Sequence, residues 1–192
     1  MAISNIMRDC LVRYQQTAVR ETGRRPATFL REPMDEALLL PGCTRAGYAC
    51  WQPVAWDGEV PLGREAHRFH ESIREYLSLC QFLEVCFVLP VANVGGPLGF
   101  LYGRVFETCR NTVSRPPERA FEEAMTAHRF ETDLPLSYCM AQTCDGGEAL
   151  LVMVRAEDGG VFVRHASGAA RILDLKLGLD RLLPKLKFVY PF

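Results

Sequence analysis

Residues 38–56 read LLLPGCTRAGYACWQPVAW. A strand entering at Leu38 is expected to end in a turn at Pro41-Gly42. A second strand then runs from Ala46 to Trp51 and stops at Pro53. Both tryptophans of the chain, Trp51 and Trp56, lie in this stretch. An indole buries a large apolar area while its N–H still needs an acceptor. Trp51 is therefore expected to anchor a sheet to the helix that covers it.

On the N-terminal side, Met7, Cys10, Leu11, Tyr14 and Ala18 recur at three- and four-residue spacing, the period of one helical face. The pattern predicts a helix capped by Ser4, running to Thr22, and stopped by Gly23 and Pro26. Arg8, Arg13 and Arg20 fall off that face and are expected in solvent. Residues 24–37 carry two prolines and read as a connector with a short helical turn at Pro33–Ala37.

On the C-terminal side, Asp57 to Gly63 is turn-rich. Ala66, Phe69, Ile73, Tyr76, Leu77 and Cys80 then predict one amphipathic helix from Arg64 to Phe82. Val85–Ala92 and Leu98–Glu107 read as strands across a Gly95-Gly96-Pro97 turn. A helix capped by Ser114 follows, with Ala120, Phe121 and Ala124 on its core face. Three antiparallel strands, Leu136–Thr143, Glu148–Arg155 and Gly160–His165, are joined at Asp145-Gly146-Gly147 and Glu157-Asp158-Gly159-Gly160. Leucines at 179, 182 and 183 suggest a last helix over Leu175–Leu186. The order predicts an α+β domain spanning 1–192, a mostly antiparallel sheet of about five to six strands with helices packed against it.

At 192 residues, with 48% hydrophobic and 23% charged residues, the composition is that of a globular chain. A formal net charge of −1 leaves no overall electrostatic footprint for nucleic acid. No apolar run reaches the length of a membrane-spanning helix. The start MAISNIMRDC has no basic segment leading into an apolar one, so no secretory signal is expected. The expected location is cytoplasmic, at most peripheral on the cytosolic face of a membrane.

Eight cysteines are present, and none forms a Cys-x-x-Cys pair. Without a secretory signal, buried reduced thiols are expected in place of a disulfide framework. His67 and His70, with Glu71 or Cys80, are weighed as a metal site. Their spacing and their flanking of core Phe69 fit surface or half-buried histidines better, so no metal is assigned. Gly95-Gly96-Pro97-Leu98-Gly99 has no Lys-Ser/Thr ending and no following helix, and so fails as a phosphate loop. No catalytic residue and no cofactor site is assigned.

Certain residues together resemble the Syd family, bacterial proteins that interact with SecY, within the wider SUKH superfamily. The similarity runs from Arg13-Tyr14 through Gly23, Pro26 and Pro41-Gly42-Cys43. It peaks at Tyr48-Ala49-Cys50-Trp51-Gln52-Pro53, and continues through Pro117-Glu118-Arg119-Ala120-Phe121 and Gly159-Gly160-Val161 to the C-terminal leucines. The resemblance implies a non-enzymatic binding module that docks on basic cytosolic loops of the SecY translocon through an acidic concave surface. The same superfamily includes immunity proteins that neutralise toxins and viral regulatory proteins that bind host factors. A cysteine-dependent enzyme is the remote alternative. The expected protein-binding residues are Tyr48, Trp51, Gln52, Trp56, Glu118 and Glu122.

Overall fold

The computed structural model describes residues 2–29, 36–56, 60, 62–89, 99–102, 117–145, 148–168 and 172–190. The turn expected at Gly95-Gly96-Pro97, the Ser114 cap and the glycines at 146–147 lie outside the described residues.

Helix α1, Ile3–Thr22, buries Ile3, Ile6, Met7, Cys10, Leu11, Tyr14, Thr17 and Ala18 along one stripe and ends on Gly23. It begins one residue before Ser4, and no side chain on its own flank caps it. The Ile3 N–H instead donates to Glu75 Oε2 at 2.8 Å. Arg13 also departs from the solvated face expected of it. Its guanidinium donates to the carbonyls of Leu183 and Pro184 and sits 4.9 Å from the Phe188 ring centroid. Arg13 thus fastens α1 to the end of the chain.

Three short strands form the first sheet: β1 (Ala27–Phe29), β2 (Leu39–Arg45) and β3 (Tyr48–Trp51), in the order β1-β3-β2. The hairpin turn lies at Ala46-Gly47, not at Pro41-Gly42. Arg45 pairs with Tyr48, and both intervening residues have positive φ, 50° and 82°, as a two-residue type I′ turn requires. The register shifts between Leu39 and Thr44, so Pro41-Gly42 is absorbed as a bulge within a continuous strand.

A 3-10 turn, Arg64–Arg68, leads into α2, Glu71–Ser78. The single helix expected over Arg64–Phe82 is broken between these pieces. Phe69 goes extended and is buried against Phe121, with ring centroids 4.8 Å apart. His70 then restarts the helix, its Nδ1 accepting the Ser72 N–H at 3.2 Å.

The main sheet has seven antiparallel strands, more than the sequence pattern implied. They are β4 (Glu84–Val88), β5 (Gly99–Tyr102), β6 (Ser137–Asp145), β7 (Glu148–Arg155), β8 (Gly160–His165), β9 (Leu173–Gly178) and β10 (Lys187–Phe188). Their order is β10-β4-β5-β6-β7-β8-β9. Helix α3, Pro117–Phe130, lies between β5 and β6 in the chain. The Leu175–Leu186 segment is not one helix. Leu173–Gly178 is the edge strand β9, and only Leu179–Leu182 is helical (α4), followed by a 3-10 turn at Leu183–Lys185. The architecture is α+β.

The open edge at β9 is poorly suited to adding another strand. Its pairing with β8 slips between Val161 and Phe162. Lys176 sits there at φ 53°, its N–H held by Asp174 Oδ1 at 2.8 Å. A bulge with a lysine on the edge is how sheets discourage edge-to-edge association.

One buried cluster extends from Ile3 to Leu186 and includes α1, α2 and the inner face of the main sheet. Trp51, 1% exposed, joins the small sheet to it, with its ring 6.2 Å from that of Tyr14. The backbone N–H of Trp51 donates to Pro26 O and that of Gln52 to Leu38 O. Val54 bridges to Gln81. Trp-Gln-Pro therefore marks a structural junction.

Candidate functional site

An open cleft of about 350 Å3 lies where the start of α1, the start of α2, the β7–β8 turn and the β9–α4 junction converge. Among the described residues its ionisable lining consists of Glu71, Glu75, Asp158, Asp180 and His70, with no lysine or arginine.

Each carboxylate is placed by backbone geometry. Glu71 and Asp180 fall in the first turns of α2 and α4, where free N–H groups favour negative charge. Glu71 and Glu75 are one turn apart on α2, a like-charge spacing that destabilises an isolated helix. The Ile3 N–H relieves it by taking Glu75 as its acceptor.

Asp158 accepts from the Arg155 Nε–H at 2.9 Å and from the Gly160 N–H at 2.8 Å. The guanidinium bond first, then the backbone bond, hold its carboxyl below the usual aspartate range. Arg155 reaches Asp174 as well, at 2.9 Å. Asp174 is held low first by the Lys176 N–H and then by Arg155.

The floor is glycine backbone. Gly159 has φ +69°, and a Cβ there would lie 2.5 Å from His70 Nδ1 and 2.9 Å from Ser72 Oγ. The His70 ring, whose Nδ1 also lies 2.9 Å from Ser72 Oγ, packs directly on this turn. With Nδ1 accepting the Ser72 N–H, the neutral ring carries its proton on Nε2. The cleft thus offers four carboxylates, one imidazole and backbone, a set suited to receiving cationic groups.

Of the residues expected from the sequence, Tyr48, Trp51, Gln52, Trp56 and Glu122 do not line this cleft. Trp51 is in the core and offers a partner no surface. Tyr48 and Gln52 are half-buried on or beside β3. Trp56 is half-buried, and its Nε1 is covered with no hydrogen-bond partner among the described residues. Glu122 is exposed on α3. Glu118 lies in the first turn of α3, and its side chain is outside the described residues. The cleft residues had two legible signals: the like-charged Glu71/Glu75 pair and the Gly159-Gly160 turn.

His67 and His70 occupy different elements, the 3-10 turn and the α2 cap. Among the described residues no three His, Cys, Asp or Glu side chains are grouped to hold a metal ion. The expectation of reduced thiols throughout is corrected at one place: Cys43 and Cys50 form a disulfide across the β2–β3 hairpin. The two-residue turn at Ala46-Gly47 sets the register, Arg45 with Tyr48 and Thr44 with Ala49, that brings Cys43 opposite Cys50, with Cα atoms 5.4 Å apart. Burial pushes the Cys80 and Cys139 thiols up to about 11 and raises Cys10 as well.

No family model matches the chain, and no curated protein sequence matches it.

Proposed function

We propose that the chain is a non-enzymatic, Syd-like protein-binding module that regulates the cytosolic side of the SecY translocon. The carrying observation is the open cleft whose charged side chains are Glu71, Glu75, Asp158 and Asp180. The family resemblance implies an acidic concave surface for basic loops, and this cleft has that shape and sign. Cationic side chains entering it meet carboxylates already oriented by helix starts and by Arg155. Burial raises the Cys10, Cys80 and Cys139 thiols, which makes these three poor nucleophiles near neutral pH. No helix among the described residues is long and apolar enough to cross a membrane, which suits a partner approaching from the cytosolic face.

The test is binding of purified chain to SecY in vesicles, and to peptides of its basic cytosolic loops, across a salt series. Glu71→Lys with Asp180→Lys is expected to abolish binding, and Glu122→Lys to leave it unchanged. Wild-type binding should weaken with salt, since exposed charges are screened. Binding that ignores both salt and the cleft reversals overturns the reading. Stoichiometric capture of a toxin or a host factor by an unaltered cleft would move the chain to the other branches of the superfamily.

A further inference from the structure

The sheet has a second buried patch, away from the main core. Strand alternation turns Val152, Val154, Val161 and Val163 into the main core and sends Met153, Phe162 and Arg164 to the opposite face. There the end of α3 and the residues just beyond it cover them. A cavity of about 30 Å3 remains between these layers, lined by His128, Glu131, Ser137, Met153, Phe162 and Arg164 among others.

Arg164 is 9% exposed, and a guanidinium stays charged at any relevant pH. Its Nη2 meets Glu131 Oε2 at 2.8 Å. That carboxylate is 43% exposed and so largely solvated. The Nε and Nη1 nitrogens of Arg164 are buried with no hydrogen-bond partner among the described residues, and so is Nδ1 of His128. The Ser137 hydroxyl already donates to Pro135 O. A buried cation with two orphan donors, next to a third orphan nitrogen, is a costly arrangement unless something absent from the protein itself satisfies it.

We propose that this cavity binds one small monovalent anion of halide size, held by Arg164 and His128. Size decides the ligand class. A water needs about 10–15 Å3 of such space, so the cavity admits about two water-sized spheres, which fits a halide more closely than a tetrahedral oxyanion. Charge and polarity decide the sign. The unmet groups on Arg164 are donors, and His128 donates as its Nδ1–H tautomer. A water would still have to place its own two protons, whereas a halide only accepts. The bound anion would accept from the two Arg164 nitrogens that Glu131 does not reach and pin the end of α3 to β8. This inference is independent of the acidic cleft.

The test compares thermal unfolding in sodium chloride or bromide with sodium gluconate at equal ionic strength. The wild-type Tm is expected to rise with halide concentration, as binding to the folded state alone requires. Arg164→Met and His128→Leu are expected to lose that rise. Should Arg164→Met fail to fold, crystals of the wild-type chain grown with sodium bromide give the same answer. An anomalous peak within hydrogen-bonding distance of the Arg164 guanidinium is expected. Either superimposable halide and gluconate melting curves for the wild type, or no bromide peak at Arg164, overturns the proposal.

Discussion

The backbone N–H of Ile3 donates to Glu75 Oε2 at 2.8 Å, a bond that spans 72 residues of chain. It caps α1 from α2 and fixes one wall of the cleft. A hydrogen bond to a charged partner contributes about 1.5–3 kcal/mol, less where solvent reaches it. Glu75→Ala is expected to lower unfolding stability by about 1–2 kcal/mol, and Glu75→Gln, which keeps an acceptor, by less. Ser4→Ala should change stability by less than about 0.5 kcal/mol, because Ser4 does not cap the helix. Urea denaturation of the three variants checks the order; a large Ser4 effect would restore Ser4 as the cap.

Gly159 meets His70 so closely that no side chain fits between them. Gly159→Ala combines a left-handed backbone with this collision and is expected to cost about 2–3 kcal/mol. In a His70→Ala background the collision with the ring should vanish, leaving the backbone part and the close approach to Ser72 Oγ. A double-mutant cycle measures the difference. Strictly additive losses would mean that the ring and the turn are not in contact.

Arg155 gathers Asp158 and Asp174 and lowers both carboxyls. A carboxylate whose folded pKa is depressed contributes stability that is fully present above its unfolded pKa, about 4, and is lost as pH falls through the folded value. Unfolding midpoints between pH 2 and 6 should therefore fall more steeply on the acid side for the wild type than for Arg155→Met. Parallel curves would remove the trio from the acid limb.

The thiols are expected to fall into two groups. Without reductant, a digest should yield a Cys43–Cys50 cross-linked peptide. After mild reduction at pH 7, alkylation should reach the half-buried Cys43 before Cys10, Cys80, Cys86 and Cys139. Cys10 and Cys86 are buried, and thiols at about 11, as at Cys80 and Cys139, hold about a hundredfold less thiolate than ordinary ones. Peptide mapping by mass spectrometry reads the order directly. Prior labelling of Cys80 or Cys139 would contradict it.

The C-terminal segment shows where local reading failed. Leu175, Leu179, Leu182, Leu183 and Leu186 recur near helical spacing, but Leu173, Leu175 and Leu177 also alternate as a strand does. Leu175 serves both patterns. Pairing with β8 chose the strand as far as Gly178, and helix begins only after it. The α2 region failed for a related reason. Phe69 sits on the helical stripe, yet its burial against Phe121 pulled the backbone extended and let His70 restart the helix.

Patterns carried by neighbours in the chain were decided by the sequence alone. The α1 stripe and its stop at Gly23, the β6–β7–β8 meander, the α+β class and the anchoring role of Trp51 all rest on periodicity, turn chemistry and burial of large side chains. Tertiary structure decided what depends on groups distant in sequence. It turned Arg13 inward to the carbonyls of Leu183 and Pro184, and it gathered Glu71, Glu75, Asp158 and Asp180 into one cleft. The physical reason is that periodicity reports which face of an element is buried, whereas a cleft is set by where the ends of separate elements meet. Those ends are fixed by long-range bonds such as Ile3 to Glu75, which leave no trace in local spacing.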